Sequence, residues 1–144
     1  MELIEAENIV RSYLLNQKPL SFRRGHTPTG DTLSCPPEPE ESFEFPGGMV
    51  AVEYESRMPV VCVSKYWWLL HKTDLMSKGK KVALVMIILD ADAAPKDQLA
   101  RQKALAEQLQ KDYPGFHYFV VESDQAKPEA ISEAVAKAFE VVKE

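Results

Sequence analysis

Two segments of alternating apolar and polar residues, joined by Pro46-Gly47-Gly48, constrain the fold more than any other part of the chain. A period of two is typical of a strand that buries one face, and a glycine-rich turn between two such strands predicts a β-hairpin. With a two-residue Gly-Gly turn, we expect Phe45 to pair with Val50, and Phe43 to pair with Val52.

This pairing gives the hairpin one apolar face and one acidic face. The apolar face carries Phe43, Phe45, Val50, Val52 and Tyr54. The other face carries Glu40, Ser42, Glu44, Ala51, Glu53 and Glu55. A slip of one residue would scatter phenylalanines onto the acidic face, so burial favours the separated faces. Carboxylates gathered on one face repel one another unless cations or water lie between them.

The remaining elements follow from periodicity and from prolines and glycines at their ends. Helices are expected at 2–17, 60–76, 96–112 and 128–144, and strands at 82–89 and 116–121. The run 82–89 is continuously apolar, which is typical of a central strand buried on both faces. Residues 19–41 hold five prolines and are expected to be irregular. The order predicts one α/β domain over residues 1–144, with a mixed sheet between two helix layers.

Charge is unevenly distributed along the chain. The net charge of −5 argues weakly against nonspecific nucleic-acid binding. Residues 31–55 contain seven acids and no lysine or arginine, whereas residues 57–81 contain six basic residues and one acid. A site that binds a cation and a polyanion together needs such a pair of blocks. Salt bridges between the two blocks explain the pattern equally well.

Several classes of protein are disfavoured. No apolar run approaches the length of a membrane span, so we expect no membrane association. The first residues lack the basic start and apolar core of a signal peptide. Cys35 and Cys62 show no spacing typical of a disulfide or metal site, which suggests a reducing cytoplasm.

Pro39-Glu40 before one hairpin strand, and Glu53-Tyr54-Glu55 on the next, resemble the PD-(D/E)xK nuclease superfamily, which has the restriction-endonuclease-like fold. Its members place one acid near a strand, then an acid and a lysine two residues apart on the next strand, followed by a helix and a further strand. The resemblance covers roughly residues 1–90. Glu55 stands at the lysine position, and Lys65 on the following helix is a candidate for a relocated lysine.

The resemblance implies a nuclease that hydrolyses nucleic acid with Mg²⁺ or Mn²⁺. It implies metal ligation by Glu53 and by Glu40 or Glu44 as the first acid. Glu53, Glu55 and Lys65 would be catalytic, with Glu55 positioning water and Lys65 stabilising charge. Arg57 and Lys72 are candidate phosphate contacts. Without a compensating lysine, the chain would be an inactive relative that only binds.

Two alternatives remain open. The first is a noncatalytic α/β binding or assembly module whose acidic face meets solvent or a basic partner, with the last helix available to a second copy as a homodimer. The second is a nucleotide-handling domain, because Asp90-Ala91-Asp92 after a buried strand resembles the paired aspartates of the Toprim fold. At least one of Trp67 and Trp68 is expected to pack into the core. The discriminating feature is whether Lys65 reaches Glu53.

Overall fold

The computed structural model describes residues 1–25, 39–55, 59–72, 74, 76–89, 96–122 and 127–144. These ranges contain four helices and five strands. Their order is α1 (Leu3–Asn16), β1 (Ser21–Arg24), β2 (Glu41–Phe45), β3 (Gly48–Glu55), α2 (Pro59–Lys72), β4 (Lys81–Ile88), α3 (Lys96–Asp112), β5 (Phe116–Val121) and α4 (Pro128–Val142). Apart from β1, these are the elements that the sequence predicts.

The five strands form a single mixed sheet in the order β1-β2-β3-β4-β5. The first three strands pair antiparallel, whereas β3, β4 and β5 run parallel to one another. Parallel neighbours need a crossover, and α2 and α3 provide the two crossovers. β4 lies inside the parallel part, and its residues from Val82 to Ile88 are fully buried.

Helices cover both faces of the sheet, so the predicted three-layer α/β fold is confirmed. On one face, α1 and α4 pack on Phe43, Phe45, Val50, Val52, Tyr54, Ala83, Val85, Ile87 and Val121. On the other face, α2 and α3 pack on Ala51, Val82, Leu84, Met86, Ile88 and Phe116. The apolar face predicted for the hairpin is therefore the face under α1 and α4.

The hairpin register differs from the prediction by two residues. Phe45 pairs with Gly48 and Phe43 with Val50, so the turn is Pro46-Gly47. A shift of two leaves every side chain on its predicted face, which is why the burial pattern could not exclude it. There is no room for a side chain at Gly48 of β3, because a Cβ there would lie 2.0 Å from the carbonyl oxygen of Lys81.

The segment 19–41 contains a strand that the sequence analysis did not predict. β1 pairs antiparallel with β2 at the edge of the sheet. Phe22 of this strand stacks on Phe43, with ring centroids 4.7 Å apart. This one apolar contact gives β1 its place on the sheet, although its other residues are polar.

The prediction that Trp67 or Trp68 packs into the core is wrong. Both side chains are exposed, at 45% and 54% of their surface. The inward side of α2 is instead set by Val63, Tyr66 and Leu70, which recur at helical spacing and are buried. Of the helices in the described ranges, none combines the length and apolar composition that crossing a bilayer requires.

Phe43→Ala is expected to lower the free energy of unfolding by about 3–5 kcal/mol, because it removes a fully buried ring from the α1/α4 side of the sheet. Urea denaturation followed by circular dichroism measures the change. Leu20→Ala is the control, since Leu20 is 70% exposed, and it should alter stability by less than about 0.5 kcal/mol. A similar small effect of Phe43→Ala would contradict the packing described above.

Candidate functional site

A buried carboxylate on β3 organises a polar cluster under α2. Glu53 has no exposed surface. Its Oε1 accepts a hydrogen bond from Lys65 Nζ at 2.8 Å, and its Oε2 accepts one from the Tyr66 hydroxyl at 2.5 Å. The backbone N–H of Glu40 also donates to Glu53 Oε2, at 3.2 Å. Lys65, the candidate for a relocated lysine on the helix after β3, therefore reaches Glu53.

The phase of α2 brings both donors to this carboxylate. Val63, Tyr66 and Leu70 bury one side of the helix, and Lys65 lies at the border of that side. The long lysine stem packs along the apolar surface, and the Lys65 side chain is only 8% exposed. Lys65 and Tyr66, which are adjacent on α2, thus donate to different oxygens of the Glu53 carboxylate.

Glu40 is the second carboxylate of the cluster. Glu41 pairs with Val52, so the next residue outward, Glu40, lies across from Glu53. Burial, together with the nearby Glu53 carboxylate, raises the pKa of Glu40 from its ordinary value of 4.5 to about 8, although Lys65 acts in the opposite direction. The charge of Glu55, on the same face of β3 as Glu53, also raises the pKa of Glu40.

Burial raises the pKa of Glu53 as well, and the charge and hydrogen bond of Lys65 oppose that rise. The cluster thus holds one buried carboxylate, Glu53, and one partly buried carboxylate, Glu40, against one lysine. At neutral pH this imbalance is relieved by a proton on Glu40 or by a further cation. Two carboxylates with an excess of negative charge can supply part of the ligand set of a hard divalent ion.

The other residues predicted for the site are dispersed. Glu44 is exposed and accepts a hydrogen bond from Ser21 Oγ at 3.2 Å; it lies four residues along β2 from Glu40, a distance of roughly 13 Å. Of the two candidates for the first acid, Glu40 is the one beside Glu53. Lys72 lies at the exposed end of α2, with its ammonium 4.9 Å from the Trp68 ring centroid. Arg57, Asp90 and Asp92 lie outside the described residues.

A second polar network lies on the α1 side of the same strand ends, and the sequence analysis missed it. Arg11 of α1 binds Glu7 and also binds the buried Glu41, whose Oε2 is 2.6 Å from Arg11 Nε. Glu7 is therefore part of this second network. Glu41 falls on the apolar face by its position in β2, and a charged residue there signals a buried partner.

A cavity of about 210 Å³ lies between the two networks. Its lining includes Glu40, Glu41, Tyr54 and Arg24. Glu40 is the member of the Glu53 cluster that borders this space, together with Glu7 and Glu41 of the second network. Tyr66, the remaining donor to Glu53, was also not foreseen, because its contact depends on the rotation of α2.

Comparisons of the chain with protein-family models, with curated proteins and with solved structures gave no match. Within the described ranges, no three histidine, cysteine, aspartate or glutamate side chains come close enough together to hold a metal ion by themselves. The cluster of Glu40 and Glu53 offers two such ligands.

Glu53→Gln is expected to destabilise the fold by about 3–5 kcal/mol, because it leaves the Lys65 ammonium buried without its counter-charge. The double variant Glu53→Gln/Lys65→Met should recover much of this loss. Urea denaturation of the two single variants and the double variant gives the coupling energy.

The exposed Asp74–Lys78 pair, with N and O atoms 2.9 Å apart, is the matched control. Its double-mutant cycle should show no measurable coupling, since both partners are surrounded by water. Equal coupling in the two cycles would contradict the assigned burial of the Glu53–Lys65 pair.

Glu40→Gln is expected to flatten the dependence of stability on pH. The native state holds a proton on Glu40 up to a pKa of about 8, whereas the unfolded chain releases it near 4.5, so wild-type stability falls as pH rises through this window. The contribution of this group reaches at most about 1.4 kcal/mol per pH unit. Urea midpoints measured from pH 5 to 9 for wild type, Glu40→Gln and the exposed Glu44→Gln would reveal it. Parallel profiles for wild type and Glu40→Gln would refute it.

Proposed function

We propose that this chain hydrolyses phosphodiester bonds of nucleic acid, with magnesium or manganese held by Glu40 and Glu53 and with Lys65 beside them. In this proposal the chain is a PD-(D/E)xK-type nuclease whose lysine is supplied by the helix after the second acidic strand. The proposal concerns the reaction and the site; DNA and RNA are both candidate substrates.

The single observation that carries the proposal is the 2.8 Å contact between Lys65 Nζ and Glu53 Oε1. Glu55 occupies the position two residues beyond Glu53, where the superfamily resemblance implies a lysine. A lysine from α2 that reaches the same carboxylate provides the missing positive charge by another route. The grouping of acid, acid and lysine is then complete with Glu40.

The order of elements supports the same proposal. A leading helix, an antiparallel meander that carries both acids, a crossover helix and a parallel strand follow one another from α1 to β4. The superfamily resemblance implies this succession around its acidic site. Glu40 precedes β2 and Glu53 lies near the end of β3, so the two antiparallel strands bring the acids to the same edge.

The residues of the cluster fit a magnesium ion in number and in chemistry. Mg²⁺ is usually bound by one or two carboxylates, several waters and the substrate's phosphate rather than by an all-protein cage. Glu53 accepts three hydrogen bonds, whereas a carboxylate offers about four acceptor positions. Glu40 borders a cavity and is only partly exposed. A substrate phosphate would complete the ligand set.

The protein groups then have distinct tasks. A bound magnesium ion supplies Lewis-acid polarisation of the phosphate and acidifies a bound water. Lys65 holds positive charge where negative charge develops on the phosphate oxygens. Tyr66 and the Glu40 amide orient the Glu53 carboxylate, and Glu55, on the same face of β3, is placed to accept a proton from water. Packing of α2 over the cluster limits access of bulk water.

One observation favours a second candidate, the noncatalytic binding or assembly module. Glu53 is fully buried and both its oxygens already accept hydrogen bonds, which suits a structural ion pair between β3 and α2. In that case the pair holds α2 in place, and the acidic edge carries no metal. Metal binding distinguishes the two functions directly.

The proposal is tested by calorimetric titration of Mg²⁺ and Mn²⁺ into wild type, Glu53→Ala and Glu44→Gln. Binding should occur in wild type and Glu44→Gln and be lost in Glu53→Ala. Because Glu40 holds a proton at pH 7, binding should also release about one proton, measured by repeating the titration in two buffers of different ionisation enthalpy. Titrations with and without a noncleavable phosphorothioate oligonucleotide test whether the metal binds only when a substrate phosphate supplies a further ligand.

The catalytic part is tested with labelled single-stranded and duplex DNA and RNA at saturating metal. Lys65→Met should lower the cleavage rate by about 10²–10³-fold, because it removes a positive charge from the transition state. Circular dichroism would confirm that the variant is folded. Metal binding without cleavage of any of these substrates, or no metal binding even with the oligonucleotide, would favour the noncatalytic module.

A further inference from the structure

One side of α2 carries a line of side chains that begins at the proposed active site. Trp68 and Leu69 lie three and four residues after Lys65, and Lys72 lies four and three residues after them, so the four residues share one side of the helix. We call these four residues the α2 stripe. Lys65 reaches Glu53 at one end of the stripe, and Lys72 lies at the other.

The α2 stripe borders an open groove on the sheet. The groove has a volume of about 450 Å³, and Leu69 forms part of its wall. Pro39, the neighbour of Glu40, lines it near the proposed active site, and Arg23 and Lys80 line it as well. The groove therefore extends between Leu69 of α2 and the residue that precedes Glu40.

Trp68 and Lys72 form a platform on the stripe. The Lys72 ammonium lies 4.9 Å from the Trp68 ring centroid, and the indole remains 54% exposed. Trp68 therefore presents a large aromatic surface to water next to a positive charge. The lysine lies over one face of the indole, so a base would stack on the opposite face while the lysine meets the neighbouring phosphate.

The charge near the stripe suits a polyanion. Lys72, Lys80 and Arg23 are basic, and Asp74 is already paired with Lys78 at 2.9 Å. Glu44 is the remaining acid in the groove wall, and it accepts a hydrogen bond from Ser21. An internal base of a duplex has both faces covered by its neighbours, so along a strand an exposed indole stacks most readily on an unpaired base.

We infer that the α2 stripe binds a single-stranded segment of nucleic acid, with an unpaired base stacked on Trp68 and its phosphate on Lys72, next to the phosphodiester-hydrolysing cluster. The inference rests on the proposed function for the kind of ligand and adds the form of the substrate. The preferred substrate is then an unpaired strand or an unpaired end of a duplex.

The chain provides its own matched control in Trp67. This side chain is exposed at 45%, and its ring stacks on His71 with centroids 4.8 Å apart. Trp67 is two residues from Lys65, so it lies off the stripe. The chain has two tryptophans, so Trp67→Phe leaves Trp68 as the sole indole, and Trp68→Phe leaves Trp67.

The experiment titrates oligo(dT) and oligo(rU) of twelve nucleotides, and a blunt duplex of the same length, into these proteins in EDTA. EDTA removes metal, so binding is measured without cleavage. In Trp67→Phe, single strands should quench the indole fluorescence strongly. In Trp68→Phe, quenching should be small. Fluorescence anisotropy should show single-strand affinity about tenfold weaker in Trp68→Ala and within twofold of wild type in Trp67→Ala.

Lys72→Gln should reduce the slope of log affinity against log salt by about 0.7 for single strands, as expected for one lost phosphate contact. Equal effects of the two tryptophan variants, or duplex binding as tight as single-strand binding, would overturn the inference. So would a Trp68→Ala protein that binds strands normally but changes its sedimentation from dimer to monomer, because Trp68 would then contact a second copy.

The outcome is separable from that of the proposed function. Binding in EDTA depends on the α2 stripe and needs neither metal nor turnover. If single strands bind through Trp68 but no substrate is cleaved with metal, the inference stands and the nuclease proposal fails. If wild type cleaves duplex and single strands equally and Trp68→Ala is unchanged in binding, the nuclease proposal stands and the inference fails.

Discussion

The desolvated carboxylate of Glu53 constrains how α2 can sit on the sheet. Removing this charge from water costs several kcal/mol unless hydrogen-bond donors replace the lost hydration. Lys65 and Tyr66 of α2 and the amide of Glu40 supply those donors. Two of them come from adjacent residues of one helix, so the helix has one rotation that satisfies the carboxylate and also buries Val63 and Leu70. Apolar packing and charge compensation thus select the same orientation of α2.

The faces of the hairpin could be predicted from the sequence, but its register could not. Period-two alternation assigns Phe43 and Val50 to one face and Glu53 to the other in any register shifted by two residues. In the observed register Gly48 lies in β3 next to Lys81 of β4, where a Cβ would lie 2.0 Å from the carbonyl oxygen of Lys81. This neighbour lies far along the chain, so the hairpin sequence alone does not reveal it. β1 escaped prediction for a similar reason, since Phe22 gains its partner only once β2 is in place.

The acidic residues of the candidate site could be predicted from the sequence, but the contact of Lys65 with Glu53 could not. Strand periodicity places Glu40 and Glu53 on one face, and antiparallel pairing then separates Glu40 from Glu44 by their positions along β2. Whether Lys65 approaches Glu53 depends on the rotation of α2 and on the length of a flexible stem, neither of which a spacing rule determines. The misplacement of the tryptophans has the same origin. Aromatic residues are commonly buried, but the phase of α2 follows Val63, Tyr66 and Leu70.

The same rotation that turns Lys65 towards Glu53 also determines what the rest of α2 presents. Once Tyr66 and Leu70 face the sheet, Leu69 borders the groove, and Trp68 and Lys72 lie on the exposed side of the helix. A helix held only by apolar packing could turn slightly and bury part of an indole. The ion pair at Glu53 opposes that turn, because rotation would separate a buried lysine from its carboxylate. Exposure of Trp68 is therefore coupled to the charge compensation at Glu53 through the rigid helix that joins them.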